Sequence, residues 1–198
     1  MMRDSYKPLP QVKLDGCAGY YQPERARAER LSAASAAIDV MTDLKRMQAI
    51  TIGPDASIEA ADKAMMRNGV RLLLVADERR CILGLITTTD LLGEKPMQAL
   101  RERGLRRGEI LVRDIMTPRD RLEVISLAKV LVSEVGHVVA TLSRCGRQHA
   151  LVADDDASGR QMIRGIFSAS QIACQLGVPL QTTEIASTFA EIEIAIAH

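Results

Sequence analysis

The chain lacks the residue types that several common functions require. It contains no tryptophan, and aromatic residues make up 3% of its 198 residues, too few for a platform on which bases stack. Its four cysteines form no CxxC pair and lie at least 29 residues apart, so their spacing argues against a zinc site. No run of about 20 apolar residues occurs, and the N-terminus lacks the apolar core of a signal peptide. We therefore expect a cytoplasmic protein that makes no membrane contact.

The chain also lacks an excess of charge of either sign. Lys and Arg total 26 against 25 Asp and Glu, for a net charge of +1. Proteins that bind polyanions usually carry a basic excess, so the balance argues against nucleic acid as a partner. Hydrophobic residues make up 47% and charged residues 26%, which is typical of globular domains.

An internal repeat organises the chain. Three motifs occur twice in the same order: DVMT at 39–42 and DIMT at 114–117, LLVAD at 73–77 and ALVAD at 150–154, and GLIT at 84–87 and GIFS at 165–168. The offset grows from 75 to 77 to 81 residues. Two copies of one unit, separated by small insertions, explain this pattern.

The first unit reads as strand, helix, strand, strand, helix. A short strand at 49–52 precedes a helix at 58–68, for which Ser57 is the N-cap and Gly69 lies at the stop. Apolar runs at 71–76 and 81–86 predict two strands, and a helix follows at 87–92.

The second unit repeats most of these elements. Val135, Val138 and Leu142 have the same helical spacing as the first helix, and Gly146 matches its glycine stop. Strands are predicted at 148–153 and 162–167, and a helix at 168–176. We find no counterpart of 51–57 in this unit and expect a helical stretch at 127–134 instead.

Three further segments complete the predicted organisation. A helix begins at Pro23 and reaches about Ala37. Arginines in the linker form either a solvated helix face or contacts for phosphate or an acidic partner. The tail places four apolar residues on one helical stripe, which packs on this chain or on a second copy: Ile185, Phe189, Ile192 and Ile196. The predicted divisions are an N-terminal extension with a helix at 1–37, a first motif at 38–95, a basic linker at 96–113, a degenerate second motif at 114–177 and a C-terminal helix at 178–198.

These motifs resemble those of the tandem cystathionine-β-synthase (CBS) domain proteins, or Bateman modules. The family pattern D-h-M-T-P (h is apolar) matches 114–118, the strand ending in V-x-D matches 73–77, and G-h-h-T-x-x-D matches 84–90. The resemblance covers about residues 38–177. It implies an α+β fold in which two CBS-type β-α-β-β-α units form a pseudo-twofold pair, flanked by N- and C-terminal helices, with clefts between the sheets.

The resemblance also implies a function. Such clefts hold AMP, ADP, ATP or S-adenosylmethionine, the modules associate as homodimers, and most regulate a partner without catalysing a reaction. We therefore expect a non-enzymatic regulatory module without a required cofactor, in which an adenosine ligand changes domain or dimer geometry. Its further partner is a regulated protein not identified by the sequence. The alternative is a ligand-free module for protein interaction or dimerisation.

Thr87 and Asp90 match the ligand-contacting positions of the family. A carboxylate accepts two hydrogen bonds, as the two hydroxyls of a ribose require. A threonine hydroxyl at a helix start can bind ribose or phosphate beside free backbone N–H groups. The alternative is structural, with Thr87 as an N-cap and Asp90 as a favourable first-turn charge.

Other candidate ligand contacts follow from the same resemblance. Ile52, Leu72 and Leu74 can enclose an adenine, with a core position as the alternative for each. Thr117 and Arg119 lie at the D-h-M-T-P segment, where Arg119 and Arg121 are placed for a phosphate. In the second unit Ser168 keeps the hydroxyl, but Gln171 replaces the acidic residue. We therefore expect at most one good site, at Thr87 and Asp90, and no metal site.

Overall fold

A computed structural model describes residues 31–104, 106–177 and residue 192. Most of the predicted N-terminal helix and three of the four residues of the C-terminal stripe lie outside the described residues. No helix within the described part of the chain is long and apolar enough to cross a membrane.

Each unit contains the predicted helices and strands, and a further short strand begins each repeat. The strands are β1 Thr42–Asp43, β2 Thr51–Ile52, β3 Leu72–Ala76, β4 Ile82–Thr87, β5 Thr117–Pro118, β6 Val124–Ser126, β7 His149–Asp155 and β8 Gln161–Ser168. The helices are α1 Ile58–Asn68, α2 Thr88–Leu92, α3 Lys95–Arg103, α4 Val112–Ile115, α5 Leu127–Val130, α6 Val135–Cys145 and α7 Ala169–Gln175.

Local chemistry sets the bounds of the two long helices. The Ser57 hydroxyl accepts the Ala60 N–H at 3.1 Å, which caps α1 as predicted. Gly69 and Gly146 adopt left-handed backbone angles after α1 and α6, with φ of 62° and 59°. Residues other than glycine rarely adopt these backbone angles, so both helices end at the glycines that the sequence indicated.

The strands form two four-stranded sheets that exchange their short edge strands. The first sheet has the order β2-β3-β4-β5, and the second has the order β1-β8-β7-β6. Strand β1, which begins the first repeat, therefore pairs with β8 of the second unit, and β5 pairs with β4 of the first. This exchange ties each repeat to the other through backbone hydrogen bonds.

The hydrophobic interior has three parts rather than the one shared core that sheet-to-sheet packing suggests. The first unit encloses its own cluster beneath α1 and the second encloses another beneath α6. A smaller cluster lies where the sheets meet and is built on Leu72, Leu74 and Leu151. Separate cores arise because each sheet buries one face under its own helices.

Two expectations about local structure are wrong. The second unit does have a counterpart of the 51–52 strand, because β6 pairs in parallel with β7 as β2 does with β3. This strand was missed because β6 follows its counterpart β2 by 73 residues, whereas β7 follows its counterpart β3 by 77 residues. The N-terminal helix does not extend over 31–36, because Ser35 C=O and Ala37 N–H bond to Val135 and Ser133 instead.

Residue 192 is the one described position of the tail. Ile192 is helical and fully buried in the cluster of the second unit, among Val139, Phe167 and Ile172. At this residue, therefore, the tail packs on its own chain.

Candidate functional site

The two units enclose a cleft with a volume of about 400 Å³. The first unit contributes Leu85, Thr87, Thr89 and Asp90 to its wall, and Thr117 joins them from β5, which lies in the same sheet. The second unit contributes residues of β6, of β7 and of the end of α6. The cleft thus brings together three of the predicted site residues, Thr87, Asp90 and Thr117, and faces them with the opposite unit.

Thr87 and Asp90 form a reciprocal cap at the start of α2. The Thr87 backbone N–H and hydroxyl each donate to Asp90 Oδ2 at 2.8 Å, and the Asp90 N–H donates to the Thr87 hydroxyl at 3.3 Å. Asp90 is only 8% exposed. The structural alternative for this pair is confirmed, and the carboxylate still reaches the cleft.

Lys95 completes the environment of the carboxylate. Its Nζ lies 2.5 Å from Asp90 Oδ1 and donates to the Thr117 hydroxyl at 3.4 Å. Sequence reasoning did not select Lys95, because only its place on α3 brings it back to Asp90. The sequence feature that could have pointed to Lys95 is its position five residues after Asp90.

A close backbone approach places Thr117 in this group. A Cβ built on Gly84 would lie 2.4 Å from the Thr117 carbonyl oxygen, well inside contact distance. Glycine in the GLIT motif therefore allows β5 to lie directly across β4. This contact links two of the repeated motifs and brings the Thr117 side chain to the cleft.

The opposite wall of the cleft is apolar at its centre and charged at its mouth. Val124, Ile125, Ala150 and Leu151 supply the apolar surface. Arg144 and Arg147 also line the cavity, and Arg147 pairs with Glu123 at 3.3 Å, with both side chains largely exposed. This side of the cleft can therefore contact a flat apolar group through its apolar residues and an anionic group through its arginines.

His149 lies between these surfaces and was not selected from the sequence. Burial, together with the Arg71 charge, lowers its pKa from 6.5 to about 4, while Asp90 opposes the shift. The imidazole is therefore neutral at pH 7. The repeat could have pointed to His149, because it lies 77 residues after Leu72, which is the offset between the equivalent strands of the two units.

The remaining predicted residues lie elsewhere. Leu72 and Leu74 belong to the cluster between the sheets, and Ile52 packs against the cluster of the first unit. Their counterparts by sheet register, His149, Leu151 and Ile125, line the cleft, although Leu151 also belongs to the cluster between the sheets. Arg119 and Ser168 are not part of the cleft wall; Arg119 is exposed, and Arg121 lines a neighbouring cavity of about 220 Å³.

The second unit arranges the equivalent residues differently. The Thr42 hydroxyl donates to Gln171 Oε1 at 3.0 Å, and the Ser168 and Ser170 hydroxyl oxygens lie 3.1 Å apart. Thr42 and Gln171 correspond to Thr117 and Asp90. Within the described residues, no group of three or more His, Cys, Asp or Glu side chains could hold a metal ion.

Known proteins share the motifs and this fold. Residues 37–96 match the model of the CBS domain family. An uncharacterized conserved protein from Pyrococcus horikoshii is 22% identical with a TM-score of 0.53, over 77% of this chain and 100% of that one. A CBS-domain-containing protein from Agrobacterium tumefaciens is 21% identical with a TM-score of 0.51, over 80% and 98%.

A third similar structure contains a ligand. The CBS domain pair of protein MJ0100, in complex with 5′-methylthioadenosine and S-adenosyl-L-methionine, is 21% identical with a TM-score of 0.50, over 73% of this chain and 97% of that one. At this identity the likeness concerns the fold. Residues 37–96 thus match the CBS domain family, the second unit repeats the same architecture, and the chain has the fold of a CBS-domain pair, so the predicted α+β pair is confirmed.

Proposed function

We propose that the chain is a regulatory module that binds an adenosine-containing ligand in the cleft. The ligand class comprises AMP, ADP, ATP and S-adenosylmethionine. Binding changes the geometry of the two units or of a dimer, and the module itself carries out no reaction. The observation that carries the proposal is the cleft itself, with Thr87 and Asp90 on one side and an apolar strand surface on the other.

The chemistry of the two walls matches the parts of such a ligand. The Asp90 carboxylate can accept hydrogen bonds from both ribose hydroxyls. Ile125 and Leu151 offer apolar surface for the base, and Arg144 and Arg147 offer cations to a phosphate. The cavity volume of about 400 Å³ lies within the range of small-molecule sites. The MJ0100 pair, which has adenosine ligands, supports the same ligand class.

The position of the cleft gives the proposal a mechanism. A ligand there touches both units, so its affinity depends on how the units are placed. Ligand binding shifts the population toward the arrangement it binds more tightly. A regulated partner protein can then recognise that arrangement.

Thermal unfolding with added ligands tests the proposal. We expect AMP, ADP, ATP or S-adenosylmethionine, at about 100 times its Kd, to stabilise the protein by about 2.7 kcal/mol and raise its Tm by about 5 °C. Asp90→Ala should abolish the shift, whereas Gln171→Ala, at the equivalent position of the second unit, should retain it. A shift that survives in folded Asp90→Ala would place the ligand elsewhere.

A second candidate function is that of an interaction module that forms homodimers. Adjacent apolar side chains favour it, because Leu131 is 60% exposed and Val132 is 81% exposed. Light scattering should then give twice the chain mass, and Val132→Asp should return it to one chain. A wild-type protein that already has the mass of one chain at micromolar concentration would contradict this candidate.

A further inference from the structure

Lys95 holds the carboxylate on which the proposed ligand site depends. Asp90 Oδ2 already accepts both the backbone N–H and the hydroxyl of Thr87. Asp90 Oδ1 accepts neither of these two hydrogen bonds, so it is the better placed oxygen for an incoming ribose hydroxyl. The Lys95 ammonium lies 2.5 Å from this oxygen. A ribose that binds Asp90 therefore meets an ion pair that is already formed.

Of the two partners in this pair, the lysine is the one that can leave. The Lys95 side chain is 41% exposed, whereas that of Asp90 is 10% exposed. The ammonium can move into water without being buried elsewhere, but the carboxylate is held by the cap of α2. Lys95 is also the first residue of α3, where the positive end of the helix dipole disfavours a cation.

The second unit shows the same two positions in direct contact. Thr42 and Gln171 occupy the places of Thr117 and Asp90, and the Thr42 hydroxyl donates to Gln171 at 3.0 Å. In the first unit the Lys95 amine stands between the corresponding residues and contacts both. The lysine bridge therefore belongs to the first cleft and is not required by the fold.

The far end of α3 is held by another ion pair. Arg103 pairs with Asp114, whose side chain is 5% exposed and also accepts the Leu111 N–H at 2.9 Å. Release of Lys95 would remove the ion pair that ties the start of the helix to Asp90, while the buried Pro96 and Ala99 and the Arg103 ion pair keep the body of the helix in place. Loosening would then be confined to the start of α3, next to Asp90.

We propose that Lys95 is an internal competitor for the ligand site. A ligand whose ribose hydroxyls bind Asp90 displaces the Lys95 ammonium, and this exchange loosens the N-terminal end of α3 from Asp90. Displacing Lys95 lowers the apparent affinity of the ligand and makes α3 the segment that signals occupancy. The inference rests on the proposed function and adds a means of regulation at the same site.

Calorimetric titration tests the competition. AMP, ATP and S-adenosylmethionine are titrated into the unmodified protein, into Lys95→Met and into Lys63→Met, which removes an exposed lysine of α1 outside the cleft. We expect Lys95→Met to bind about tenfold more tightly, as the loss of one competing charged hydrogen bond implies, and Lys63→Met to bind as the unmodified protein does. Equal or weaker binding by Lys95→Met would overturn the inference, and weaker binding would make Lys95 a ligand contact.

Hydrogen exchange provides a test that needs no variant. Saturation of the unmodified protein with the tightest of the three ligands should speed amide exchange in the first turns of 95–103. Unchanged or slower exchange there would contradict the release of α3. If none of the three ligands binds any of the proteins, the proposed function fails and this inference fails with it. If all three proteins bind equally, only the Lys95 inference fails.

Discussion

The two units share a backbone plan but differ in the chemistry at the start of their last helices. In the first unit Thr87 and Asp90 form a full reciprocal cap, and Lys95 neutralises the carboxylate. In the second unit Ser168 and Gln171 occupy these places without a charge. The fold therefore accommodates either pair of residues at the start of this helix. Because the fold does not require the acidic residue of the first unit, that residue is available for ligand binding.

The edge strands differ in the same way. Asp43 of β1 forms a two-pronged ion pair with Arg164 of β8, and this arginine holds the pKa of Asp43 below its usual value. At the equivalent edge of the first sheet, Pro118 lies opposite Gly84. An ion pair lies at one edge and a proline at the other, and the strand is exchanged at both, so the exchange is the feature that the two edges share.

The largest expected effect comes from the close approach at the two equivalent glycines. A Cβ at Gly84 would meet a backbone oxygen at 2.4 Å, whereas one at Gly165 would meet the flexible Met41 side chain at 2.3 Å. We expect Gly84→Ala to lower the free energy of unfolding by about 3 kcal/mol and Gly165→Ala by about half as much. Urea denaturation measures both. Equal losses would show that the methionine is as rigid as the strand.

A second prediction concerns the acid stability of the cleft. Because the folded state lowers the pKa of His149 to about 4, the unfolded chain takes up this proton first as the pH falls. The contribution of the neutral imidazole is complete above pH 6.5 and is lost between about pH 6.5 and 4, by up to about 3 kcal/mol.

His149→Leu, which installs the residue of the equivalent first-unit position, should remove this slope. Denaturation curves of both proteins at several pH values in this window give the comparison, and carboxylates that do not act on His149 contribute equally to both. Parallel pH profiles would mean that the imidazole takes up its proton as readily in the folded chain as in the unfolded one.

The sequence predicted the elements of both units well, because their signals are local. Ser57 and Gly69 gave the bounds of α1, and the apolar runs gave the central strands within two residues. The strand β6 was missed, because only its pairing with β7 reveals it. The shape of the interior was also not predictable, since nothing local indicates that the strands at 42–43 and 117–118 exchange sheets.

The candidate site was predicted only on one side. Thr87, Asp90 and Thr117 do line the cleft, and the motif pattern identified them. Ile52, Leu72 and Leu74 were selected because they lie in the same unit, but the apolar wall belongs to the other unit. Lys95 reaches Asp90, and His149 reaches the cleft, through tertiary packing that the motifs alone do not record.

A smaller effect distinguishes the starts of α1 and α6. Ser57 caps α1 through its hydroxyl, whereas the Glu134 N–H donates to His137 Nδ1 at 3.2 Å at the start of α6. We expect Ser57→Ala to cost about 1 kcal/mol and Glu134→Ala only about 0.3 kcal/mol. Chemical denaturation at pH 7 measures both. A larger loss in Glu134→Ala would show that its side chain takes part in the cap.

A last comparison sets the uncharged position of the second unit against the acidic position of the first. Gln171 is exposed and accepts one hydrogen bond from Thr42, so Gln171→Ala should cost about 0.5 kcal/mol. Asp90→Ala should cost about 2 kcal/mol, because it removes a buried cap and leaves Lys95 without this carboxylate. Denaturation of the two single variants and of the double variant measures these losses. Additive losses would show that the two positions act independently, whereas a coupling above about 0.5 kcal/mol would mean that the exchanged strands transmit changes between the units.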